Sequence, residues 1–373
     1  MGRILKDVQV LRKVQRSPEK FDALNVFATW AQRHAIAITQ DDAVPRFAEF
    51  LQASLQESLN SDTMLFGGRT QAMFEAIVAN LGAVKLVKTE DNGDVYTATS
   101  HIRVPDTRIV LAEGHNVLVE VKNNHGDPRK PFRVKAAYVD SLLNYAELTR
   151  TDLRFAIYWS QMATWTLVAP DALKREGKWL SLDIGTAYMR NDMGALGDTL
   201  IGCPVPIVAQ MFVQKQGKGK IRFDHSRSRI FVAEREVVGD AQRLLLRFLI
   251  FWGGWPMSEP KIIDETTDHR VVELRSMPSE EELEDESPGQ GCRMNGFVST
   301  ILSRYWLQMT STLDGDFATL LPSPKSWSDQ LLNVTNEGDE VFAIARIKSS
   351  LDPVQEEAPT TPPEITSTNA GGD

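Results

Sequence analysis

The stretch that most restricts the fold of this 373-residue chain is "VPDTRIVLAEGHNVLVEVKNN", from Val104 to Asn124. Two runs rich in β-branched residues, 107–111 and 117–121, flank a polar turn at 113–116, the pattern of an antiparallel hairpin. The second run, "VLVEVK", is apolar on both faces of a strand's two-residue period, as in a strand covered on both sides. Glu120 and Lys122 interrupt it. Ionisable side chains in a covered strand need partners or a function.

Centring the turn on Gly114 sets Asp106 opposite Lys122 and Arg108 opposite Glu120. Side chains alternate faces along a strand, so Glu120, Lys122 and Leu118 share one face, and Asp106 falls on it too. Two neighbouring carboxylates repel and lose hydration unless a cation joins them. Magnesium suits that position, because it takes oxygen ligands and keeps several waters. It polarises a phosphoryl oxygen and lowers the pKa of a bound water. An ammonium beside it can position that water or neutralise developing charge. Such a set hydrolyses phosphodiesters. A second match, Pro170-Asp171 followed by Glu176 and Lys178, has too short a gap and no strand pattern.

The α/β reading extends on either side. "AVKLVK" reads as a short strand, "RTQAMFEAIVANLG" (69–82) as a helix that Gly67-Gly68 precede and Gly82 ends. Met73, Phe74, Ile77, Val78 and Leu81 form its buried stripe. A helix over about 136–148 and the strands "LRFAIYWS" and "WTLV" follow. Upstream, Ser17-Pro18-Glu19 starts one helix and a second covers 44–59, a helical cap or dimerisation arm. Downstream are strands at "VPIVAQMFVQ" and "SRIFVAE" and helices at "DAQRLLLRFLIFW" and "NGFVSTILSRYWLQMTS". The expected organisation is a helical extension over 1–61, an α/β core over 62–170, an α+β accessory domain over 171–349, and an acidic, proline-rich tail over 350–373.

Composition restricts partners only loosely. The net charge of −9 argues against a surface coated with basic residues. Much of the acidity is local, in "SEEELEDES" (279–287) and the tail, both expected to be solvated chain. No apolar run approaches the ~20 residues that span a bilayer, and no secretory leader is legible. Two cysteines, Cys203 and Cys292, cannot make a disulfide framework or a zinc site. A cytoplasmic location is expected, with Asn333-Val-Thr335 a chance glycosylation match.

The block 69–168 resembles the PD-(D/E)XK nuclease superfamily, which includes restriction endonucleases and archaeal Holliday-junction resolvases. In that family the first acid marks the start of one strand, and acid-x-Lys lies on its antiparallel neighbour. The resemblance implies a restriction-endonuclease-like core, a mixed sheet flanked by helices. It implies that Asp106 and Glu120 bind Mg²⁺, with Mn²⁺ able to substitute, and that Lys122 serves the attacking water. Resolvase-like relatives carry a further metal-binding Glu about eleven residues before the glycine that ends the preceding helix. Here that place is Gln71, and Glu75 lies one turn later on the same helix face. Either is a candidate to complete the site.

Arg129, Lys130, Arg133 and Lys135, in the loop after the hairpin, are candidates for phosphate contacts. The basic run 215–229 is a second, weaker one. Tyr138 and Tyr145 are expected in the core, and His101 and His115 outside the chemistry. The expected activity is metal-dependent cleavage of nucleic acid, DNA favoured over RNA, in restriction, phage defence or repair. The protein would act as a homodimer or a subunit of a larger complex. The rival expectation is a nuclease-fold subunit that binds nucleic acid or scaffolds a complex without cleaving, which Gln71 in an acid's place favours.

Overall fold

In the computed structural model, residues 18–91, 95–216, 220–280, 283, 292–312, 319, 341–346 and 349–351 are described. Ser17, most of the acidic run 279–287, the Asn333 sequon and the tail from residue 352 lie outside them.

Three helices come first: α1 (Pro18–Arg33), α2 (Ala43–Asn60) and α3 (Asp62–Val78). Phe27 and Trp30 of α1 pack on Phe47 of α2, with ring centroids 5.2 and 5.4 Å apart. The sequence places the start of α3 after Gly67-Gly68, but the helix begins at Asp62 and runs through both glycines. α2 and α3 are in contact, and the low helix propensity of glycine, a weak preference that context overrides, does not break the helix here. Both glycines are exposed, and a Cβ at either would meet nothing within 4 Å. Gly67→Ala and Gly68→Ala are each expected to raise the unfolding free energy by roughly 0.5–1 kcal/mol, read in a denaturant titration.

The central sheet joins β1 (Val84–Thr89), β2 (Thr107–Leu111), β3 (Asn116–Asn124), β5 (Asp152–Trp159) and β6 (Thr164–Val168). β1, β2 and β3 are antiparallel neighbours, β3 and β5 are parallel, and β5 and β6 are antiparallel. Parallel β3 and β5 need a crossover, supplied by β4 (Phe132–Lys135) and α4 (Ala136–Thr149). "VYTATSHIRV" contributes no strand of its own.

The two faces of the sheet bury different layers. Ile109, Leu111, Val117 and Val119 join Met73, Phe74 and Ile77 of α3 in one core. Leu118, Phe155, Ile157 and Trp159 join Val139 and Leu142 of α4 in another. β4 also pairs with β8 (Trp179–Leu182), which pairs with β7 (Lys174–Glu176). Hydrogen bonding thus crosses residue 170. A short helix, α5 (Ile184–Met189), follows.

The remaining elements are β9 (Thr199–Pro204), β10 (Ile207–Gln216), β11 (Lys220–Val232), β12 (Arg235–Glu236), α6 (Asp240–Trp252), β13 (Lys261–Glu265), β14 (His269–Ser276), β15 (Cys292–Phe297), α7 (Val298–Met309) and β16 (Ala343–Arg346). They build an antiparallel sheet, β12-β11-β10-β14-β13, and a smaller one, β15-β9-β16. Ile201, Ile207, Leu246, Leu249 and Trp306 extend the core that contains Phe74 and Ile109. Asp192 fastens the far end of the chain: its carboxylate accepts from Arg154 Nε at 3.0 Å, Ser349 Oγ at 2.7 Å, and Ser350 N and Oγ at 2.7 and 2.8 Å.

Candidate active site

β3 is covered on both faces, so every side chain from Val117 to Val121 is buried. Alternation sends Val117, Val119 and Val121 toward α3, and Leu118, Glu120 and Lys122 toward α4. The hairpin register differs from expectation. Thr107 pairs with Val119 and Arg108 with Leu118, a slip of two residues caused by a turn one residue earlier. A two-residue slip keeps every side chain on its face, so Asp106 still sits with Glu120 and Lys122.

Asp106 is tied down twice. Its Oδ2 accepts from the Val121 amide at 2.7 Å, and its carbonyl accepts from the Glu90 amide at 2.8 Å. Glu120 is 1% exposed. Its Oε1 accepts short hydrogen bonds from the Lys122 ammonium and the Tyr138 hydroxyl, and Lys122 Nζ also donates to Tyr138 Oη at 3.2 Å. Lys122 reaches solvent with 28% of its side chain, so the group is buried at the carboxylate and open at the amine.

Electrostatics follow from that asymmetry. Burial, and then the charge of Glu120, push Asp106 up to about 7. Burial pulls the Lys122 ammonium down, but the charge of Glu120 and its hydrogen bond outweigh this and raise it overall. Lys122 therefore remains a cation near neutral pH. Burial and the charge of Glu120 push Tyr138 up to about 12, so it remains a donor. Asp91 is raised by partial burial of its carboxyl and by the charge of Glu120 as well. It is a third acid near this face that the motif reading did not single out.

A second network braces the same face. Arg108 grips Glu90 with two hydrogen bonds, Nη2 to Oε1 at 2.6 Å and Nε to Oε2 at 3.1 Å, and Tyr145 Oη donates to Glu90 at 2.9 Å. The Arg108 bonds hold Glu90 down at about 2 despite its burial. Because the Glu90 amide holds the Asp106 carbonyl, this network positions the first acid.

The two helix candidates are placed elsewhere. Glu75 Oε1 accepts from Thr107 and Thr89 hydroxyls, each at 3.2 Å, and from Gln71 Nε2 at 3.3 Å. Thr107 precedes Ile109 and Leu111 on the α3 side of the sheet, the face opposite Asp106. Neither Gln71 nor Glu75 makes a hydrogen bond to Asp106, Glu120 or Lys122. Among the described residues, no group of three or more His, Cys, Asp or Glu side chains is arranged to hold a metal ion.

The basic loop is partly neutralised. Arg129 is bound by Asp127, with Nη2 to Oδ2 at 2.9 Å, and Arg133 by Glu176 at 3.0 Å. Lys130 and Lys135 are exposed. Tyr138 and Tyr145, expected as packing, put their rings in the layer under the sheet and their hydroxyls on Glu120 and Glu90. Two tyrosines on one helix face were legible, but nothing local pairs them with acids 18 and 55 positions away.

No family model matches the sequence, and no curated protein matches it. Among solved structures, the chain is similar to Hjc, a Holliday junction resolvase of the archaeal hyperthermophile Archaeoglobus fulgidus. Identity is 18% and the TM-score 0.21, over 26% of this chain and 79% of that one.

Proposed function

We propose that the chain is a metal-dependent nuclease that hydrolyses phosphodiester bonds, with Asp106, Glu120 and Lys122 as its reaction centre and DNA as the favoured substrate. One observation carries this reading. A covered strand holds a fully buried carboxylate beside a second carboxylate whose proton affinity is raised to about 7, and one partly exposed ammonium serves both. Structural ion pairs do not need the surplus acid; a divalent cation does.

The donor set fits magnesium or manganese. The available ligands are carboxylate oxygens, and two carboxylates with retained waters suffice for Mg²⁺. Asp106 and Glu120 would hold the ion, which when bound supplies Lewis-acid polarisation of the phosphoryl oxygen. In hydrolysis a water oxygen bonds to phosphorus, the bond to the leaving oxygen breaks, the water loses a proton and the leaving oxygen gains one. Lys122 orients the attacking water and offsets charge on the non-bridging oxygens. Tyr138 and Lys122 hold Glu120 in one orientation. The contexts that fit such chemistry are restriction, phage defence and repair, with the protein as a homodimer or a subunit of a larger cytoplasmic complex.

A second reading, a nuclease-fold subunit that binds without cleaving, is favoured by the placement of Gln71 and Glu75 behind the sheet. A cleavage screen over single-stranded, duplex, branched and RNA substrates separates the two. Cleavage with Mg²⁺ or Mn²⁺ that stops in EDTA and in Asp106→Asn is expected. A wild type inert on every substrate would leave only the second reading.

Asp106→Asn also tests the electrostatics without a substrate. A folded-state pKa above the unfolded value near 3.9 means that the contribution of this group to stability is present at low pH and lost as pH rises through about 7. Metal-free Asp106→Asn is therefore expected to melt above wild type at pH 8, by roughly 1–2 °C per kcal/mol relieved, with the gap narrowing at pH 5. Calorimetry with Mn²⁺ should show weaker binding in the variant. Equal melting of the two proteins at both pH values would refute the assignment.

A further inference from the structure

We propose that Arg103 is a substrate-phosphate contact of this site, held over the reaction centre by Tyr138; the inference rests on the nuclease reading. The segment before Pro105-Asp106 lies against α4. The Arg103 amide donates to the Ser141 carbonyl at 3.0 Å, and Asn144 Nδ2 donates to the His101 carbonyl at 3.1 Å. His101 takes a left-handed backbone, φ 61°, to make this turn. The segment carries the Arg103 guanidinium to 4.9 Å from the centre of the Tyr138 ring. That ring's hydroxyl is bonded to Glu120 and Lys122.

Arg103 differs from four other arginines of this region in having no acid. Arg108, Arg129, Arg133 and Arg175 are engaged by Glu90, Asp127, Glu176 and Asp140. Among the described residues, Arg103 has no carboxylate partner; it is exposed, and its side chain is stacked on an aromatic face. A guanidinium held over a ring by its cation–π attraction keeps its N–H donors free for an oxyanion. Lys122 Nζ lies 5.0 Å from the same ring centre. Arg103 Cζ and Lys122 Nζ, each within 5.0 Å of that ring centre, are therefore at most about 10 Å apart, a span over which two cations can engage one stretch of a phosphate backbone. Tyr138 thereby joins two tasks: its hydroxyl orders the acid and the amine, and its face orders the arginine.

The test uses the full chain and a fluorescent DNA duplex, with anisotropy read against salt in the Asp106→Asn background and cleavage read in the wild-type background. Arg103→Ala is expected to weaken binding roughly tenfold across sequences and to reduce the salt slope by about 0.9, the value of one phosphate. Arg190→Ala should change neither, because that guanidinium is paired with Asp171 at 2.7 Å and belongs to no part of the proposed site. Tyr138→Phe keeps the ring and should leave affinity unchanged while slowing cleavage. Tyr138→Ala should lose both, and adding Arg103→Ala to it should weaken binding little further. Unchanged affinity and slope in Arg103→Ala, in a protein that binds and cleaves, would overturn the inference and leave the nuclease reading standing. Binding that depends on Arg103 without cleavage of any substrate would support the phosphate contact and overturn the nuclease reading. A chain that binds no nucleic acid overturns both.

Discussion

Lys122→Ala should lower the cleavage rate at least ~10²-fold, the scale of losing one preorganised donor to a developing oxyanion. The substitution also removes one of the two donors to Glu120 Oε1. A carboxylate with 1% exposure then keeps only Tyr138 as donor, at a cost of about 1–3 kcal/mol in stability. Activity must therefore be read well below the melting transition of the variant. Lys122→Arg separates the two effects. It preserves the positive charge and most of the stability, but a planar guanidinium does not replace a compact ammonium, so cleavage should remain at least ~10-fold depressed. A variant lacking Lys122 that cuts as fast as wild type would exclude this amine from the chemistry.

Asp192→Ala should be the most destabilising single change, at about 3–5 kcal/mol. Its carboxylate takes four hydrogen bonds and pairs with Arg154, which is 8% exposed. Removing it strands a buried guanidinium and releases Ser349 and Ser350 from the core. A fall in melting temperature on the order of 4–7 °C follows. Arg154→Met together with Asp192→Leu should recover part of the loss, because no unpaired charge remains. An Asp192→Ala protein within ~0.5 kcal/mol of wild type would show that this pair carries no weight.

Local pattern revealed part of this. The hairpin, α4, β5, β6 and α6 follow from periodicity, and Asp106, Glu120 and Lys122 share a face because a slip of two preserves parity. What stayed hidden depends on contacts distant in sequence. Tyr138 meets Glu120 across 18 residues and Tyr145 meets Glu90 across 55, and no local spacing encodes either. The helix face bearing Gln71 and Glu75 was legible, but not the side of the sheet on which α3 would lie. Glycine chemistry misplaced the start of α3, since a pair of glycines signals a break only where nothing packs against the helix. The Asp192 clasp joins residues 157 and 158 positions apart and has no signature in either segment.

The shared core behind the hairpin has a consequence for how this protein can be divided. The Phe74 ring packs at a tilt on Trp165 with centroids 5.2 Å apart, and Trp165 Nε1 donates to Ser303 Oγ of α7 at 2.9 Å. The wall at the back of the acids is thus built from both ends of the chain. A fragment ending near residue 170 would turn that wall toward water, so the chemistry is not a portable module. Grafting it into another protein would require carrying α7 along.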